Sequence, residues 1–236
     1  MNNLRKITLA IVIISAGIFS SCNNCIKGEG EPIIRTLEID SFNAIHLSSS
    51  QGVTLSQGVE QKIEIKAPEN IIELLNTSVK NNIWEISFQE CVKAGTIEIN
   101  ITTPTIEAIT ITGSGSVKSL NNLNVNQMSI SVSGSGNADL MLNAQEISTN
   151  ISGSGNVKLN GSATNHKANV VGSGDIKASD FITVETKITI TGSGDASVHA
   201  TKLIEASIVG SGDIEYKDTG AKVITEITGS GDIVKK

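Results

Sequence analysis

Residues 170–176 read VVGSGDI, residues 190–196 read ITGSGDA and residues 208–214 read IVGSGDI. The tripeptide Gly-Ser-Gly inside these stretches occurs seven times, at intervals of 21, 19, 19, 20, 18 and 19 residues. Self-similarity at a near-constant period indicates a repeat architecture, in which each unit buries its apolar face by stacking on its neighbours. The first glycines of the seven tripeptides are Gly113, Gly134, Gly153, Gly172, Gly192, Gly210 and Gly229.

The residues around each Gly-Ser-Gly are apolar at the same two positions in every repeat. Ile or Val stands two residues before the first glycine in all seven copies, and Val, Ala or Ile stands four residues after it. β-Branched residues at every second position indicate strands rather than helices. A repeat of about 19 residues fits one coil of a parallel β-helix, which needs its neighbours to complete a core. The sequence therefore predicts an all-β protein built as a parallel β-helix. A right-handed coil is favoured because the intervals vary.

The Gly-Ser-Gly tripeptides are interpreted as structural corners between strands. If the strand is continuous, both glycines fall on inward rows, where the missing side chain allows a close backbone approach. In the alternative, one of the two glycines takes a positive φ and turns the chain. In both cases the serine points outward, as does the residue after the second glycine.

An acidic column is expected beside the later corners, because the residue after the tripeptide is Asp in the last four copies. Stacked coils would place these carboxylates about 4.8 Å apart. One interpretation is Ca²⁺ between the coils, since calcium takes carboxylate oxygens. The favoured alternative is that the side chains accept hydrogen bonds from turn amides. No other metal and no cofactor is predicted. The column consists of Asp175, Asp195, Asp213 and Asp232.

The N-terminus carries an export signal. Residues 1–21 combine the basic Arg5 and Lys6 with an apolar run, which is typical of a secretory signal peptide. Small residues directly before Cys22 resemble a bacterial lipobox, which implies lipidation of that cysteine. Cleavage before Cys22 would change the net charge from −6 to −8, so the lipid rather than a basic patch would hold the protein at a membrane. The predicted location is the cell envelope, with the outer membrane favoured. The periplasmic and surface faces both stay open.

The cysteines allow more than one interpretation. Cys22 and Cys25 have the C-x-x-C spacing of redox and zinc sites, but lipidation of Cys22 would leave only one thiol. Cys25 and Cys91 then remain, either as a disulfide formed in an oxidising envelope or as two free thiols.

The region before the repeat is less regular. A helix is predicted within Pro68–Leu75, where proline precedes acidic residues. This helix, together with Trp84 and Phe88, is expected to cover the open N-terminal end of the rod. At the other end, Lys235 is expected to blunt the unpaired edge of the last coil. The predicted segments are a signal peptide at 1–21, a tether at 22–32, an N-terminal β region at 33–105 and the Gly-Ser-Gly β-helix at 106–236.

Further motifs precede the repeat. Residues 42–47 read FNAIHL, residues 52–55 read GVTL, and residues 97–104 read IEINITTP. Together with the Gly-Ser-Gly series, they resemble the putative auto-transporter adhesin, head GIN domain family of bacterial envelope proteins, over residues 33–236. The resemblance implies a β-helical fold and often a lipoprotein signal, chiefly in Bacteroidetes-type bacteria. It implies no catalytic residues.

The composition excludes several function classes. The chain has 18 basic against 24 acidic residues, which excludes a broadly basic nucleic-acid surface. Its three histidines are isolated in the sequence and no nucleophile elbow occurs, so an enzyme is not expected. The sequence predicts a lipid-anchored, adhesin-like binding protein whose partners are the membrane, through the lipid, and a glycan or a surface protein. The alternatives are a purely structural envelope spacer and a glycan-active β-helical enzyme.

Overall fold

The computed structural model describes residues 25–236 and contains twenty strands and one short helix there. Before the repeat the strands are β1 Ile26–Lys27, β2 Ile33–Leu37, β3 Ala44–Leu47, β4 Gly52–Gln57, β5 Lys62–Ala67, β6 Val79–Lys80, β7 Ile83–Ile86, β8 Val92–Lys93 and β9 Glu98–Thr103. The helix is α1 Glu69–Ile72. In the repeat the strands are β10 Ala108–Gly113, β11 Ser116–Ser119, β12 Leu123–Asn124, β13 Gln127–Gly134, β14 Asn137–Gly153, β15 Asn156–Gly172, β16 Asp175–Gly192, β17 Ala196–Gly210, β18 Ile214–Tyr216, β19 Lys222–Gly229 and β20 Ile233–Lys235.

The repeat forms a parallel β-solenoid of about seven turns with coils about 19 residues apart. Equivalent residues of successive coils pair in register, as the first glycines of the corners show: Gly134 pairs with Gly153, and Gly153 pairs with Gly172. The unequal intervals are accommodated after the corners, where the pairing of β16 with its neighbours shifts register. The predicted all-β parallel solenoid is confirmed. Its right-handed coiling stays a prediction.

Two stacks of strands result from the corners. The stack before the corners, here called the pre-corner sheet, contains β7, β3, β10, β13, the second halves of β14 to β17, and β19. The stack after the corners, the post-corner sheet, runs from β9 and β4 through β11 to β18 and β20. Both stacks follow the same order of coils, so each corner lies on the next.

The core consists of columns of aliphatic side chains between the stacks. The residue two positions before the corner is buried in the first six repeats, from Ile111 to Ile208, and only Ile227 in the last coil is 44% exposed. Each side chain packs on its equivalent one coil away, so narrow columns of Ile, Val and Ala replace the aromatic bulk of an ordinary globular core. The largest buried side chains are Trp84 and Phe181.

The chain does not build its coils in sequence order at the N-terminal end. Strand β3 lies between β7 and β10, and β4 lies between β9 and β11. After the first coil, the chain therefore moves outward to form the coil of β7 and β9, and then returns past the first coil to start the repeat. This crossover was not anticipated from the sequence.

The N-terminal pole of the solenoid is closed by antiparallel strands and the helix. Strand β5 pairs antiparallel with β9, and β2 pairs antiparallel with β5. The helix, shorter than the predicted Pro68–Leu75, follows Pro68 at its N-cap and buries Ile71 and Ile72. Trp84 is fully buried and donates a hydrogen bond from Nε1 to the Asn76 carbonyl over 2.9 Å.

Part of the predicted tether is attached to the domain. Strand β1 pairs in parallel with β8, and Cys25 is disulfide-bonded to Cys91 with their Cα atoms 4.6 Å apart. Because a covalent bond and a strand pair hold it, the segment from Cys25 to Lys27 is not a free linker. The predicted signal peptide and Cys22 lie outside the described residues. Within residues 25–236, no helix is long and apolar enough to span a membrane.

Candidate functional site

The two glycines of each corner have different roles. The first takes a positive φ, from 107° at Gly113 to 136° at Gly210. The second is buried against the coil below: a Cβ on Gly155 would lie 2.4 Å from the Gly136 carbonyl oxygen. The sequence left open whether a corner glycine turns the chain or allows a close backbone approach. In the structure the first glycine of each corner turns the chain, and the second glycine lies on the inward side.

The corners carry a continuous backbone ladder. The serine amide of each corner donates to the first-glycine carbonyl of the preceding one over 2.8 Å, as Ser154 does to Gly134 and Ser173 does to Gly153. All seven serine side chains are exposed. Within residues 25–236, their hydroxyls make no hydrogen bond to the protein. Each hydroxyl is therefore available to bind a ligand.

These serines form one edge of a larger surface on the pre-corner sheet, here called the polar face. Its other two rows are the residues one and three positions before the first glycine of each corner. The only charged residue of the polar face is Glu226, in the last coil. Its rows are Thr110, Ser131, Asn150, Asn169, Thr189, Ser207 and Glu226; Thr112, Ser133, Ser152, Val171, Thr191, Val209 and Thr228; and Ser114, Ser135, Ser154, Ser173, Ser193, Ser211 and Ser230.

A groove of about 710 Å³ runs beside the polar face. The small residues Ser129 and Ser148 lie in it, in the outward row next to the polar face, and longer polar side chains border it. Among these, Gln127 Nε2 donates to Glu146 Oε2 over 3.2 Å. The volume of the groove lies in the range of ligand pockets. The groove adds amide and carboxylate groups to the hydroxyls of the polar face. Neither the groove nor the polar face was singled out from the sequence, although the alternation of the strands contained the signal.

The acidic column is bonded to the backbone. Asp195 N donates to Asp175 Oδ1 over 3.1 Å, Asp213 N to Asp195 Oδ1 over 2.9 Å, and Asp232 N to Asp213 Oδ1 over 2.8 Å. Each carboxylate thus accepts the amide of the equivalent residue one coil later. Within residues 25–236, no group of three or more His, Cys, Asp or Glu side chains is arranged to hold a metal ion. The geometry favours the turn-amide interpretation over calcium.

A calcium titration tests this assignment. We expect CaCl₂ to leave the Tm unchanged, and Asp213→Ala to cost about 1 kcal/mol because the Asp232 amide loses its acceptor. Asp232→Ala is the matched control, since its exposed carboxylate receives no amide from a further coil in the described chain. Differential scanning calorimetry measures both effects. A rise in Tm with calcium that Asp213→Ala abolishes would contradict the assignment.

The three histidines lie apart in the coil stack. His46 Nε2 is 2.9 Å from Thr112 Oγ1, and His199 Nδ1 is 3.3 Å from the Ser179 carbonyl oxygen. His166 is buried, and its Nε2 lies 3.1 Å from Thr149 Oγ1. Burial lowers the pKa of His166 to about 4, because desolvation disfavours the imidazolium. Sequence reasoning missed this buried position, although His166 falls on an inward row with Ile147.

Comparison with known proteins identifies the domain. The sequence matches the model of a family described as putative auto-transporter adhesin, head GIN domain, over residues 41–220. The chain belongs to this family. The predicted resemblance is therefore confirmed, and the head GIN domain comprises the first coil, the outer coil and most of the solenoid.

Solved structures share the fold of this head GIN domain. A putative adhesin from Bacteroides fragilis NCTC 9343 is 28% identical, with a TM-score of 0.83 over 89% of this chain and 100% of that chain. A putative lipid binding protein from Parabacteroides distasonis ATCC 8503 is 27% identical, with a TM-score of 0.75 over 90% and 100% of the two chains. A putative adhesin from Parabacteroides merdae ATCC 43184, 22% identical with a TM-score of 0.75 over 89% and 98%, shows the fold alone. No curated protein was found to match.

Proposed function

We propose that the chain is a lipid-anchored, non-catalytic protein of the bacterial cell envelope that acts as an adhesin-like binding module. The observation that carries the proposal is the polar face: rows of hydroxyl and amide side chains that recur from coil to coil, interrupted at Val171, Val209 and Glu226, in a chain whose net charge is −6. Such an array offers many equivalent donors and acceptors to an extended ligand. Membership of a family named for adhesins supports the same function.

The anchor is supported by the sequence before the domain. Phe19-Ser20-Ser21-Cys22 follows a basic and then apolar stretch, which is the arrangement of a lipoprotein signal. More than one acyl chain on Cys22 would give stable attachment, whereas a single chain binds a bilayer only reversibly. An acidic head cannot supply this attachment, because anionic headgroups repel it.

Labelling with radioactive palmitate tests the anchor. We expect the wild-type chain to incorporate palmitate and to fractionate with membranes, and Cys22→Ala to lose the label and appear in the soluble fraction. Cys91→Ala is the control, because it removes a cysteine that the proposal does not lipidate. Equal labelling of wild type and Cys22→Ala would overturn the anchor. Protease shaving of intact cells then decides between the surface and the periplasmic face.

The ligand of the polar face is proposed to be a glycan or an envelope surface protein. Binding of the full-length protein to arrays of both ligand classes tests this. We expect Thr191→Lys, on the polar face, to weaken binding by about tenfold or more, since a lysine there displaces contacts at the centre of the surface. Ser197→Lys on the post-corner sheet is the matched control, as Lys177 is its neighbour in the same row. No binding to either array would instead favour a structural spacer, and turnover of a polysaccharide would favour an enzyme.

A further inference from the structure

The last coil differs from the earlier coils in one outward-facing side chain, which is apolar. The outward row that carries Ser129, Ser148, Lys167, Lys187 and Glu205 in earlier coils carries Ile224 in the last one. This isoleucine is 45% exposed. The solenoid core does not explain it, because its side chain lies outside that core.

The neighbours of Ile224 on the same strand carry opposite charges. Lys222 lies two residues before it and Glu226 two residues after it, so the outward face of β19 reads Lys-Ile-Glu at alternate positions. Glu226 stands in a row that is otherwise neutral, beside Ser207 and Thr189. A strand with this pattern is complementary to itself when a second copy runs antiparallel to it.

The backbone of β19 is also open to a partner. The strand pairs with β17 along one edge in an unbroken register, and the residue pairings show no described strand on its other edge. It has eight residues, no proline and no bulge, which are the properties of an edge that recruits another strand. On its inward side Ile227 is 44% exposed, although its equivalents in earlier coils are buried.

We propose that the C-terminal pole binds the same pole of a second copy of this chain, through antiparallel pairing of β19 with β19. With Ile224 on the two-fold axis, Lys222 of each copy faces Glu226 of the other, and the two isoleucines meet between these ion pairs. On the inward side Val223 meets Thr225, and Ala221 meets Ile227, so the pairing continues the core across the junction. The interface is isologous, as expected of a two-fold dimer.

The two poles of the solenoid differ in what they offer to a second copy. The N-terminal pole is covered by the antiparallel strands β2 and β5 and by α1, and β7, the strand equivalent to β19 at that pole, pairs with β6 on its outer side, so no described edge there matches β19 for head-to-tail growth. At the C-terminal pole, Lys235 is paired with Asp218 over 2.8 Å and Lys236 is paired with Glu215. These lysines therefore repel a second copy less than their charges alone suggest.

The arrangement indicates what the pair would join. Cys25, three residues after the proposed lipidated cysteine, is bonded to Cys91 in the outer N-terminal coil, whereas β19 lies eight strand spacings away from β7, or about 38 Å. Pairing at the C-terminal poles places the two anchors at opposite ends, about 80 Å apart by the same spacing. This geometry suits two facing membranes, so the second copy is the partner of the proposed adhesin. The membrane part of the inference rests on the proposed function.

A cross-link tests the pairing. Directly opposite residues of antiparallel strands have Cα atoms about 4.5–5.5 Å apart, which lies within disulfide range. We expect full-length Ile224→Cys to form a disulfide-linked dimer under mild oxidation, whereas Ile182→Cys, on the side of the solenoid and off the polar face, does not. Ile182 is a matched control because it is also an isoleucine and is 46% exposed. The absence of an Ile224→Cys dimer would overturn the proposal.

Vesicle clustering tests the function of the pair. Full-length lipidated protein is reconstituted in two populations of phosphatidylethanolamine–phosphatidylglycerol vesicles carrying different dyes. We expect clustering with wild type and with Ile182→Lys, which lies off both the polar face and β19, and a loss of about tenfold or more with Ile224→Lys. The fold tolerates this substitution, since Lys167 and Lys187 occupy the same row, and an unchanged thermal melt confirms it.

The outcomes separate this inference from the proposed function. Unaltered clustering by Ile224→Lys would overturn the membrane bridging, even if the cross-link forms. A chain that takes up no palmitate would overturn the proposed anchor and the bridging with it. In that case the Ile224→Cys cross-link still decides the pairing.

Discussion

Gly172→Ala is expected to destabilise the solenoid by about 4 kcal/mol or more, which is a large fraction of the stability of an ordinary domain. Two costs add at this position. The backbone has a φ of 123°, which a residue with a Cβ adopts at a cost of about 1–3 kcal/mol. In addition, the new Cβ would lie 2.4 Å from the Gly153 carbonyl oxygen. That oxygen accepts the Ser173 amide, so it cannot move without breaking the ladder between the coils.

Gly113→Ala separates the two costs. Its φ is 107°, but a Cβ there meets nothing within 4 Å, because the coil beneath it has no equivalent corner. We expect this variant to lose only the conformational part, about 1–3 kcal/mol. Urea denaturation followed by circular dichroism measures both variants. Equal losses of stability for Gly113→Ala and Gly172→Ala would contradict this, since they would mean that close contact between stacked corners adds no cost to replacing a corner glycine.

The second large effect is expected from pH. The pKa of His166 is lowered to about 4 in the folded protein, whereas an unfolded histidine titrates near 6.5. Between these values the unfolded state binds the extra proton, so the free energy of unfolding falls as the pH falls. The stability contributed by neutral His166 is complete above about pH 6.5 and is lost as the pH approaches 4. Over pH 7.5 to 4.5 the loss is about 2–3 kcal/mol.

His166→Gln isolates this contribution. The variant removes the titrating ring but keeps a polar partner for the buried hydroxyl of Thr149. We expect its free energy of unfolding to fall less than that of the wild type over the same pH range, by the amount given above, in urea titrations at each pH. His46→Gln is the control and keeps the wild-type dependence because His166 is still present. Parallel pH profiles for the wild type and His166→Gln would contradict the assignment.

The repeat could be predicted because its physics is local and periodic. The alternation around each Gly-Ser-Gly identifies strands, the constant interval identifies coils, and equivalent residues such as Ile151 and Val170 have to stack to be buried. The irregular part could not be predicted in the same way. The position of β3 between β7 and β10 depends on pairings between residues far apart in the sequence. A local sequence pattern does not predict such pairings.

The candidate site was predictable only in pieces. The acidic column followed from the register of the coils, but whether its carboxylates bind cations or amides depended on distances such as that from Asp213 N to Asp195 Oδ1. The choice between a disulfide and free thiols at Cys25 and Cys91 likewise needed their positions in space. His166 looked like any isolated histidine until its row was known to point inward.

The coil, its length and the corners could be predicted from the chain alone, because they follow from short-range alternation repeated seven times, and the family followed from the resemblance of its motifs. The tertiary structure alone decided the order of the N-terminal coils, the closure of one pole and the open edge of β19 at the other. The physical reason is that a strand's partners are chosen by the geometry of the whole stack. The outward pattern of Lys222, Ile224 and Glu226 acquires a meaning only when that edge is seen to have no strand beside it.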